Sequence, residues 1–145
     1  MEESSLRAVG WARSLPMNTG PKEARDWTRE HLQALGWTHS LPQTVEDVLL
    51  TVSELVTNAH VHAHSAARLV VTWDGCCLHI TVHDDAAALP TPRPPSGDRL
   101  GGRGMLLVDA LSDDWGTRPC PHGKSVTACF CPTATAQDSL TSEEG

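Results

Sequence analysis

Over residues 42–63 the apolar positions Val45, Val48, Leu49, Val52, Val56, Ala59 and Ala63 recur every three or four residues, and from Ala67 onward the interval drops to two. The first spacing places one apolar stripe on a helix that starts near Pro42 and runs to about His62. The second places Leu69, Val71 and Trp73, then Leu78, Ile80 and Val82, on one face of two strands. Asp74-Gly75 between those strands is a strong hairpin signal. A chain with this switch has to fold a sheet whose apolar face is covered by helices.

The flanking segments extend that pattern. "SSLRAVGWARS" reads as a first strand. "GPKEARDWTREHLQALGW" reads as a helix, with Pro21 in its first turn, Gly36 as its stop, and Ala24, Trp27, His31, Leu32 and Leu35 at helical spacing. "GRGMLLVDALS" predicts a third helix, and "DDWGTR" and "KSVTACFC" two further strands joined through "PCPHG". The order of strand, two helices, two strands, helix and two strands predicts an α/β two-layer sandwich, with helices on one face of a mixed or antiparallel sheet. The 145 residues suit one domain, over 1–131, followed by a polar, acidic tail over 132–145 that is expected to be disordered. The stretch from Asp85 to Gly101, with four clustered prolines, is a long connection of the kind that is functional or disordered in compact domains.

Charge and composition narrow the function. A net charge of −7, with Lys22 and Lys124 the only lysines, lacks the basic footprint of a duplex-binding protein. No apolar run approaches the roughly 20 residues needed to span a bilayer, and "MEESSLRAVG" has no apolar core of a signal peptide, so a cytoplasmic location is expected. The five cysteines are odd in number, and Cys76 and Cys77 are adjacent, which fits a disulfide framework badly. Cys120, His122, Cys129 and Cys131 match no common zinc spacing, and Cys129 and Cys131 are expected on one face of a strand as structural thiols.

Three segments carry possible chemistry. Asp47, Thr51, Glu54 and Asn58 share one side of the second helix, opposite its Val and Ala face. Alone, this is how an amphipathic helix meets water. Leu50 and Val61 nevertheless flank the stripe, and an acid one turn from an amide combines a group that orients a hydroxyl with an oxygen ligand suited to Mg²⁺. His62 lies on the same side and could reach a phosphate, or it could be a surface residue at a fraying end. His60, His62 and His64 alternate along the helix and cannot converge on one metal. Gly101, Gly102, Arg103 and Gly104 precede an apolar helix, where backbone N–H groups bind anions; a loop needing glycine for its turn is the alternative. Asp84 ends a buried strand, able to accept from an exocyclic amine or to serve the turn.

Together these segments resemble the GHKL ATPases of the Bergerat fold, a family that includes histidine kinases, gyrase and anti-sigma-factor kinases. "SELVTNAHVHA" looks like the N box, "VHDDAAALP" like the G1 box and "GGRGMLLVDAL" like the G2 box, in the family's order. "EARDWTREHL" and "DDWGT…GKSVTA" look like small single-domain members from actinobacteria, so the resemblance covers about residues 6–131. It implies ATP with Mg²⁺ as ligands, Glu54 as general base and Asn58 as Mg²⁺ ligand. It implies that Asp84 reads the adenine amino group, with Ser125 the hydroxyl beside it. Gly102 and Gly104 would close over the phosphates with Arg103 between them, and the proline-rich stretch would be the ATP lid. The implied partners are a sigma factor and an anti-anti-sigma protein, with no direct nucleic acid and no membrane; a homodimer is left open. One departure stands out: the family's D-x-G-x-G is here Asp84-Asp85-Ala86-Ala87-Ala88. The alanines favour a competing reading, a binding module that sequesters a regulator without catalysis.

Overall fold

The computed structural model describes residues 9–85 and 105–132. The expected lid, the glycines at 101, 102 and 104 and the expected disordered tail beyond 132 lie outside the described residues. The strands are β1 (Val9–Leu15), β2 (Ala67–Trp73), β3 (Leu78–Asp84), β4 (Asp114–Cys120) and β5 (Gly123–Phe130). They form a five-stranded sheet in the order β1-β2-β3-β5-β4, antiparallel at every pairing. Helices α1 (Pro21–Ala34), α2 (Trp37–Ser40) and α3 (Pro42–Thr57) and a helical segment over 105–111, here α4, pack alongside it. This is the expected α/β sandwich, with the antiparallel of the two sheet arrangements that the element order left open.

The core is where the two periodicities meet. Val48, Val52 and Val56 of α3 and Leu32 of α1 are fully buried, as are Leu69, Val71, Leu78 and Ile80 of the sheet. Val108 brings α4 into the same core, and Trp115 Nε1–H donates to Asp109 Oδ1 at 2.9 Å, which ties α4 to β4. The hairpin between β2 and β3 turns where expected. Asp74 Oδ1 accepts the backbone N–H of Cys76 and of Cys77, each at 2.8 Å, and Gly75 takes φ 92°. Among the described residues no helix is long and apolar enough to cross a membrane.

Two features depart from the sequence expectations. After α1 stops at Gly36 (φ 84°), the short helix α2 sets Trp37 edge-on to Trp73, with ring centroids 5.3 Å apart. Four residues are too few for a helical period to register. The cysteine expectation is also corrected: Cys77 and Cys131 are joined in a disulfide with Cα atoms 4.1 Å apart. The pairing of β3 with β5 sets them across from one another, which neither the odd count nor the adjacency of Cys76 and Cys77 could indicate.

His31 couples the fold to pH. Its ring stacks on Trp11 at 4.3 Å and meets Trp27 edge-on at 4.5 Å. Burial lowers its pKa, outweighing the opposing charge of Glu30. The unfolded chain therefore takes up this proton at higher pH than the fold does. The stabilisation is fully present above the ordinary histidine value of about 6.5 and is lost as pH falls through the lowered value. Between about pH 7.5 and about pH 5.5, His31→Gln is expected to lose less of its unfolding free energy than the unmodified protein. Urea midpoints at the two pH values check this; equal losses would remove His31 from the pH response.

Candidate functional site

Helix α3 carries the polar stripe out of the core and ends in an unusual way. From Asn58 to His62 the α-helical turn widens to a π turn, with Ala63 N–H donating to the Asn58 carbonyl at 3.0 Å. Such turns are frequent at functional sites because they re-aim one side chain without ending the helix. The polar stripe is not simply solvated: Thr51 is 0% exposed and donates its hydroxyl to the Asp47 carbonyl at 2.9 Å. Asp47, Glu54 and Asn58 are half-buried, while Leu50 and Val61 beside them are exposed. Next to the stripe, Arg25 of α1 donates to Ser53 Oγ at 2.8 Å and fixes α1 against α3. Neither Glu54 nor Asn58 commits its side chain to a hydrogen bond or ion pair among the described residues. A carboxylate and an amide one turn apart, half-buried and uncommitted, form a donor set that fits a Mg²⁺-bound phosphate and a hydroxyl.

The histidines separate. His60 is buried, with Nε2 3.0 Å from the Leu15 carbonyl, so it joins the helix to the end of β1. His62 is exposed at the end of the π turn. His64 sits at φ 53°, where the chain leaves the helix for β2.

Asp84 is 3% exposed at the end of β3. Lys124 of β5 faces it in register and donates from Nζ to Oδ2 at 2.6 Å. The strands close tightly there, since a Cβ on Gly123 would collide with the Asp84 carbonyl. Glycine before Lys124 is thus what lets β5 begin directly against β3. Ser65 Oγ accepts the Asp85 N–H at 2.7 Å and holds the chain where it leaves the strand. Ser125 falls elsewhere than expected. It lies opposite His83, and strand alternation turns it to the sheet face away from Asp84. The residue beside Asp84 on its own face is Lys124. Gly102, Arg103 and Gly104 lie outside the described residues, and only the following helix, α4, is placed.

Sequence reasoning missed Lys124, because its relation to Asp84 exists only through the pairing of strands 40 residues apart. Lys124→Met takes this donor from a buried carboxylate and is expected to lower the unfolding free energy by about 1–3 kcal/mol. The value should fall toward the lower end, since Lys124 is half exposed and solvent screens its charge. An unchanged denaturation midpoint would take the pair out of the account of stability.

A model of the histidine kinase-like ATPase domain matches residues 19–130, which is most of the chain. A search of curated proteins gives no match.

Proposed function

We propose that this chain, which belongs to the histidine kinase-like ATPase family, is an ATP- and Mg²⁺-dependent regulatory protein of anti-sigma-factor type. In this reading it is a protein serine/threonine kinase that holds a sigma factor inactive and phosphorylates an anti-anti-sigma partner. The observation that carries it is Glu54 and Asn58, half-buried and uncommitted where α3 widens into its π turn.

Bound ATP with Mg²⁺ would supply the phosphoryl group, and the chain's residues would position and neutralise it. The Asp84 carboxylate would accept the adenine amino group, with Lys124 fixing that carboxylate in place. The Asn58 amide oxygen would be the Mg²⁺ ligand. Glu54 would orient a partner's Ser or Thr hydroxyl and take its proton as the oxygen attacks. Val108 packs α4 into the core just after Gly101, Gly102 and Gly104 in the chain, and backbone N–H groups at that helix start would favour phosphate oxygens.

A second reading, a regulator-binding module without catalysis, is favoured by Ala86 and Ala88 in place of glycines. Transfer of labelled phosphate from ATP to anti-anti-sigma candidates separates the two. Labelling of a partner Ser or Thr is expected for the kinase. ATP binding with no transfer to any partner supports the module.

A further inference from the structure

The sheet face turned away from the helices carries a second group of reactive side chains, at the opposite end of β3 from Asp84. Cys77 and His79 are two residues apart at the start of β3, and Cys129 and Cys131 are two apart at the end of β5. Each pair therefore projects to one side of the sheet. The register sets His79 opposite Cys129, and one step beyond the Leu78–Phe130 pair it sets Cys77 opposite Cys131. The result is a square of three sulfurs and an imidazole. Along one side of it Cys77 and Cys131 are disulfide-bonded, and along the other His79 Nδ1 lies 3.2 Å from Cys129 Sγ. Behind the histidine, Asp74 Oδ2 lies 3.2 Å from His79 Nε2. The other Asp74 oxygen is held by the N–H groups of Cys76 and Cys77.

We infer that, once the Cys77–Cys131 bridge is reduced, Cys77, His79, Cys129 and Cys131 form a tetrahedral site for a zinc-class divalent cation. The patch then exists in two forms, one closed by a disulfide and one closed by a metal.

Donor chemistry comes first. Three thiolates and one imidazole are a Cys₃His set, among the commonest structural zinc environments. Reach is adequate. Directly opposed side chains on antiparallel strands start about 4.5–5.5 Å apart, and next-but-one neighbours along a strand about 6.6 Å apart. Bonds of about 2.3 Å to sulfur and about 2.0–2.1 Å to nitrogen let four such side chains lean to one centre.

The surroundings are those a metal histidine requires. A ligating imidazole donates its second N–H to a carboxylate, which fixes ring and tautomer. Asp74 occupies that place on Nε2 and leaves Nδ1 facing the sulfurs. Burial raises the Cys129 thiol pKa, and the charges of Asp114, Asp113 and Asp74 push it the same way. The same negative field attracts a dication, and a thiol that coordinates is deprotonated outright. All four side chains are half-buried, so an ion can enter from solvent.

The exchange balances. A dithiol reductant gives two electrons and two protons to the Cys77–Cys131 bridge and leaves as its own disulfide. The cation then displaces the thiol protons into solvent. While the bridge is closed two sulfurs are bonded to each other, and no group of three such side chains among the described residues is arranged to hold a metal. The site and the disulfide are thus mutually exclusive.

Cobalt(II) titration of the full chain tests this, with the protein reduced by a phosphine, desalted and kept anaerobic. The expected result is one Co²⁺ per reduced chain, with tetrahedral d–d bands and sulfur-to-cobalt charge transfer, displaced by Zn²⁺. The oxidised protein should bind none. Cys129→Ser should lose part of the charge-transfer intensity, and Cys76→Ser should retain all of it. Asp74→Asn should weaken binding about 10–100-fold with the same ligand set. Circular dichroism checks folding of each variant, and His79→Gln serves as a second ligand deletion if Cys129→Ser is unfolded. A reduced protein that takes up no Co²⁺ overturns the inference. So does a cobalt spectrum left unaltered by Cys129→Ser and His79→Gln.

Discussion

Glu54→Gln is expected to lower phosphoryl transfer by about 10²–10⁴-fold while keeping most of the affinity for ATP. The replacement preserves the size of the side chain and its ability to hydrogen bond, but removes the carboxylate proposed to take the hydroxyl proton. Its position supports that separation. Glu54 is half-buried on α3 with its side chain uncommitted among the described residues, so the change should cost the fold little. Asn58→Ala should behave differently, since losing the proposed Mg²⁺ ligand should weaken both nucleotide binding and turnover. Transfer of labelled phosphate, measured beside ATP affinity for each variant, checks both. Transfer at the unmodified rate by Glu54→Gln would remove the residue from catalysis.

Asp84→Asn is expected to weaken ATP by about 10–100-fold, the loss of a hydrogen bond to a charged acceptor. GTP should be affected much less, because guanine has no amino group at the corresponding edge position. Asp84 is 3% exposed, and Lys124 and the close approach of Gly123 hold its end of the strand in place. A fixed acceptor at low dielectric discriminates donors more sharply than a solvated one. Parallel titrations with ATP and GTP check it, and equal losses for the two bases would take Asp84 out of adenine reading.

What could be read from the sequence was local. The switch in apolar spacing gave the helix–hairpin order, and Asp74-Gly75 gave the turn, because both are decided by neighbouring residues. The one-turn spacing of the half-buried Glu54 and Asn58 was legible for the same reason. Beyond Asn58 the α-helix widens to a π turn, and nothing in residue spacing announces a change of helix type. Pairings between distant strands were not legible. Lys124 against Asp84, Ser125 turned to the other face, and Cys77 bonded to Cys131 all follow from β5 inserting between β3 and β4. That insertion is a choice of sheet order, which residue spacing within each strand does not encode.

The chain belongs to the histidine kinase-like ATPase family, and the central proposal is that it binds ATP through Mg²⁺. Calorimetric titration of the full chain with ATP, in Mg²⁺ and again in excess chelator, tests it most directly. Saturable one-site binding in Mg²⁺, much weakened by chelator and by Asn58→Ala, is the predicted result. No heat of binding at millimolar ATP in Mg²⁺, or binding indifferent to both chelator and Asn58→Ala, would contradict it.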